Sequence, residues 1–189
     1  VTGLVNSAFT LAASQTLMGN GVVNGKLITS AGATLSPGVS GVGMLTVSNV
    51  VTLGGTTIME LDPDNATNDV LKSGVSITFG GTLNLVNLGS SLPGDSSFKL
   101  FNAPSYTGSF TINPPTPGPG QTWDTSELAT TGIIKVVGGS SGPLFGGTVV
   151  SGGNVIISAS GGVANGTYYV LATTNLALPL ASWTPVATN

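Results

Sequence analysis

Glu60-Leu61-Asp62-Pro63-Asp64-Asn65, with Asp69 close behind, is the densest set of side chains in this sequence that could do chemistry. Alternating carboxylates in a loop are the raw material of a Ca²⁺ site, which asks for roughly six to eight oxygens. The spacing of Asp62, Asp64 and Asp69 fits neither an EF-hand loop nor a Gly-Gly-x-Gly-x-Asp nonapeptide array. Turn capping and solvation are the ordinary use of such acids, with Ca²⁺ the lesser alternative. Asp62 with Asp69 also offers a carboxylate pair of the kind glycoside hydrolysis uses. A polysaccharide lyase would need cations to stabilise its enolate, and the chain has only Lys26, Lys72, Lys99 and Lys135, with no Arg and no His.

Other candidates resolve to backbone chemistry. Ser36 and Ser40 fall in Gly-bearing turns, with no Gly-x-Ser-x-Gly elbow and no base to serve them. Gly38-Val39-Ser40-Gly41-Val42-Gly43 has the glycines of a phosphate loop without its Lys or following helix. Asn65-Ala66-Thr67 and Asn165-Gly166-Thr167 match a glycosylation sequon, a match more often coincidental than functional. Tyr106, Trp123, Tyr168, Tyr169 and Trp183 can stack on sugar rings, although end caps and core edges are the commoner use of such residues. The expectation is no catalytic residue, no cofactor-binding residue and no metal ligand, so the chain is read as a non-enzyme.

Composition narrows the partners. Charged residues make up 6% of the 189 positions, against about a quarter in ordinary chains. The surface must therefore be built from hydroxyls and amides. Four basic residues against seven acids make nucleic acid a poor partner. With no Cys, stability must come from packing and ladder hydrogen bonds. No apolar run approaches the roughly 20 residues of a membrane helix, so membrane insertion is not expected of this chain. The start at Val1-Thr2-Gly3, without Met or a basic leader, reads as a mature or excised piece of something longer.

The elements that would carry these residues are strands. Apolar residues show no sustained helical spacing, whereas period-2 runs span 9–17, 22–29, 45–51, 56–61, 75–79, 82–87, 97–101, 133–137, 148–151 and 155–158. The phrase Gly-Gly-Thr after Leu or Phe recurs three times, at Leu53 to Thr56, Phe79 to Thr82 and Phe145 to Thr148. Its glycine pairs suit tight corners with positive φ, and Thr52 to Thr78 is one plausible solenoid coil. A β-solenoid over residues 1–160 is expected, followed by a C-terminal strand extension or capping segment over 161–189. Asn113 to Gln121, carrying four prolines, reads as an extruded loop. Trp123-Asp124-Thr125-Ser126-Glu127-Leu128 after it reads as a turn or single helical turn capped by Asp124 or Thr125, with Trp123 over an end of the wall.

Several of these words, in this order, resemble the autotransporter-associated β-strand repeat of bacterial surface and secreted proteins. They are Ala33-Thr34-Leu35-Ser36-Pro37-Gly38, Gly43-Met44-Leu45-Thr46-Val47, the run Thr56 to Leu61, Asn68-Asp69-Val70-Leu71 and Gly80-Gly81-Thr82-Leu83-Asn84-Leu85. Gly108-Ser109-Phe110, Trp123 to Leu128 and Thr131 to Val137 look like the ending that commonly follows the repeat. The resemblance implies a right-handed parallel β-helix, exported across the cell envelope as passenger, stalk or adhesive surface. The stretch from Thr167 through Val186 looks like a tail module found on some large surface proteins, and the chain lacks the family's membrane barrel. The expectation is an extracellular or cell-surface protein that self-associates into a homopolymer, the alternative being an adhesin that binds surface glycans. Neither Val1 to Leu17 nor Ile156 to Asn189 holds a charge that would oppose strand addition.

Overall fold

The computed structural model describes residues 7–139, 144–160 and 167–188. Two compact units divide the chain, Val1–Gly139 and Ser140–Asn189.

The first unit is a β-solenoid. Its opening coil holds β1 (Ala8–Leu11), β2 (Thr16–Gly19) and β3 (Gly21–Val23), and the second holds β4 (Lys26–Thr29), β5 (Thr34–Pro37) and β6 (Met44–Val47). The third adds a short extra strand: β7 (Val51–Leu53), β8 (Thr56–Asp62), β9 (Thr67–Asn68) and β10 (Val70–Ser73). The fourth holds β11 (Ile77–Phe79), β12 (Thr82–Asn87), β13 (Ser97–Lys99) and β14 (Phe101–Asn102), and β15 (Tyr106–Gly108) and β16 (Thr111–Asn113) begin a fifth. Equivalent strands stack in parallel into three sheets, β1-β4-β7-β11-β15, β2-β5-β8-β12-β16 and β3-β6-β10-β14. Thr52 pairs with Thr78, as their spacing in the sequence requires.

Stacking turns the period-2 pattern into columns. Leu27, Val51 and Ile77 are in register and fully buried, and Leu35, Thr57 and Leu83 form an equivalent buried column in the second sheet. On the outer face of that sheet Thr16, Thr34, Thr56, Thr82 and Thr111 make one continuous threonine ladder. Adjacent strands lie about 4.8 Å apart, so the like side chains touch along the stack. This hydroxyl skin does for solubility what charge does elsewhere.

Corners explain where the expected strands differ from those observed. The runs 9–17, 22–29 and 45–51 each divide into two strands, bent at Ala12 to Gln15, Asn24-Gly25 and Ser48 to Val50. Alternation survives the bend because both arms keep their apolar residues inside. Ser36 lies within β5 rather than in a turn, for the same reason: Leu35 and Pro37 on either side of it are buried. The glycine pairs needed correction too. Gly81 has φ +67°, but Gly54, Gly55 and Gly80 lie outside the left-handed region and are required by space instead. A Cβ on Gly80 would sit 2.5 Å from the Leu53 carbonyl oxygen of the coil before, and one on Gly54 would sit 2.8 Å from that of Thr29.

After the last coil the chain changes to antiparallel pairing. β17 (Gln121–Asp124) and β18 (Ile133–Gly138) join β13 in an antiparallel sheet, β13-β18-β17. Between them α1 (Leu128–Thr131) ends at Gly132, φ +74°, whose carbonyl accepts from both Leu100 N and Phe101 N. Trp123 thus lies in a strand, with the single helical turn starting later than expected and lacking a side-chain cap. Beneath the sheet Phe79, Phe101, Tyr106 and Phe110 form an aromatic plug with ring centroids 4.8 to 5.7 Å apart. The proline-rich segment 114–118 has no regular structure, and Trp123 Nε1 pins it by donating to the Pro115 carbonyl at 2.9 Å.

The second unit holds two antiparallel hairpins, β19 (Leu144–Ser151) with β20 (Asn154–Ser160) and β21 (Tyr169–Ala172) with β22 (Thr184–Thr188). The third Gly-Gly-Thr copy is therefore not a solenoid corner. It lies in β19, where the register shifts between Phe145 and Gly147, with Gly147 at φ +142°.

Candidate functional site

The acidic corner between the second and third sheets brings the sequence candidates into one neighbourhood without making them one site. Glu60 lies on the outer face of β8, since Met59 and Leu61 on either side of it are buried. Asp62 ends that strand and turns to cap the 3-10 turn Pro63–Asn65, accepting from Asn65 N at 3.2 Å and Asn65 Nδ2 at 2.8 Å. Asp64 reaches the next coil, where Ser90 donates its N–H at 2.9 Å and its hydroxyl at 3.0 Å. Each oxygen of Asp62 and Asp69 accepts a bond from a backbone or side-chain amide.

Asp69 is the exceptional one. It is fully buried, and its two oxygens accept from Gly43 N at 2.6 Å and Glu60 N at 2.8 Å. The first bond crosses from coil three to coil two and the second closes coil three on itself. Burial pushes its carboxyl up to about 6, against the opposing pull of those two amides. Asn20 does a similar job one coil earlier, accepting from Met44 N at 2.9 Å, and Asn68 donates forward to the Lys99 carbonyl at 2.9 Å. A seam of side chains thus satisfies the backbone where the corner interrupts the ladders.

The same seam settles what the glycine-rich loop does. Gly38 and Gly41 have positive φ, the loop folds on itself, and the Asp69 carboxylate takes the Gly43 amide that an anion would need. Ser40, at φ +59°, sits in that bend. Beside the corner lies an open groove of about 210 Å³ lined by Pro63, Ala66, Asn68, Pro93, Ser96, Ser97 and Phe98. Among the described residues no group of three or more His, Cys, Asp or Glu side chains converges as a metal-binding set. No family model, curated protein or solved structure matches the chain.

The remaining candidates serve the frame. Tyr106 is part of the aromatic plug, its hydroxyl accepting from Ala103 N and donating to the Phe101 carbonyl. Trp123 packs 6.4 Å from Phe98, and Trp183 donates to the Leu178 carbonyl at 3.1 Å. Tyr169 is exposed. Lys135 pairs with Glu127 and Lys99 bonds the Thr131 carbonyl, both at the cap, while Asp124 is held below its ordinary value by its bonds from Ser126. The sequon at Asn65 falls in the capped 3-10 turn; Asn165 lies outside the described residues. Three bonding residues escaped the sequence reading: Asn20, Thr29 and Ser73. Buried Thr29 accepts from Gly54 N at 3.1 Å, and buried Ser73 donates to the Asn49 carbonyl at 2.8 Å. The signal of Thr29 and Ser73 is a polar residue at an inward position beside a corner, whereas Asn20 is exposed.

Proposed function

We propose that this chain is an exported, non-enzymatic scaffold, a β-solenoid stalk of the autotransporter-associated type whose copies join head to tail into an extracellular filament. What supports the reading is a stack of parallel strands with edge strands at its ends. Among the described residues the stack is bounded at both ends by strands with a single partner, β1, β2 and β3 at the first coil and β14, β15 and β16 at the last, where the aromatic cluster also lies. The first coil presents Met18 to solvent, leaves Phe9 and Leu17 partly covered, and holds no charged residue among the described residues before Lys26. Proteins normally blunt such an edge with charge, Pro or a covering segment. Joining such an edge to a different surface of the next copy is a heterologous contact, which propagates. Electron microscopy of the purified chain at rising concentration tests this: filaments are expected, and single particles throughout would overturn it.

The groove favours a second reading, an adhesin fragment. Prolines and Phe98 provide an apolar floor, and Asn68, Ser96 and Ser97 an amide and hydroxyl rim, a combination suited to a neutral sugar. Saturable binding on a glycan array would support it, and a blank array would leave the scaffold alone.

A further inference from the structure

We draw no further inference here: the strongest candidate, the apolar hairpin of β19 and β20 with Val149, Val150, Val155, Ile156 and Ile157 exposed, carries nothing because among the described residues nothing shows what covers it.

Discussion

The first and last described coils of the solenoid are made from the same kind of strand and differ in the side chains that pack beside them. At the far end, rings replace aliphatic side chains, the chain doubles back as an antiparallel sheet, and the Gly132 carbonyl takes up two amides of the last coil. At the near end the columns stop at Phe9 and Leu17 with part of each side chain uncovered. A stack of identical rungs has no intrinsic place to stop, so termination needs a change of chemistry, and among the described residues that change is seen at the far end.

That contrast can be broken most directly by truncating one aromatic at each end. Phe101→Ala empties a fully buried site against Phe79 and Phe110 and is expected to cost about 3–5 kcal/mol in urea unfolding. Phe9→Ala, at the partly covered end, is expected to cost well under half of that; equal losses would mean that both ends are equally well packed. A test nearer the middle uses pH. The folded carboxyl of Asp69 titrates at about 6 against 3.8 ordinarily, so the native state binds the extra proton between those values. Stability should therefore rise as pH falls from 7 towards 4, by up to about 3 kcal/mol from this group alone, and Asp69→Asn should flatten that slope. A wild-type melting temperature that falls steadily over this range would refute the assignment. The smallest effect is a gain. Thr57 Oγ1 is buried between Leu35 and Leu83 without a hydrogen-bond partner, so Thr57→Val should stabilise by about 1 kcal/mol in the same unfolding assay.

Much of the first unit was legible because a solenoid writes its columns into the sequence. Thr52 and Thr78 sit in register, and the alternation around Leu27, Val51 and Ile77 marks the inside. Corners were harder to see. Ala12 to Gln15 contain no Gly, Pro or Asn to mark the bend, so no turn signal separates two strands from one long strand. Glycine was read for its torsion at Gly54 and Gly80, whereas its role is to let the next coil's backbone approach, a contact between residues far apart in sequence. Asp69 was taken with its acidic neighbours as a loop residue, yet the stacking offset that pairs strands also carries it to Gly43. The repeated phrase at Phe145 misled for the opposite reason: Gly-Gly-Thr serves a bulge in a hairpin as well as it serves a corner.

The coils are not of equal length. Going up the stack, the offset between register partners grows from that of Phe9 and Leu27 to that of Ile77 and Tyr106, and the extra residues of coils three and four gather at the acidic corner, where Asp64 ties one loop to the other through Ser90. The first unit thus bears a one-sided knob at its third and fourth coils. In a fibre of such subunits every knob would lean the same way, giving the strand a visible arrow, and the direction of growth could be read from an image by eye.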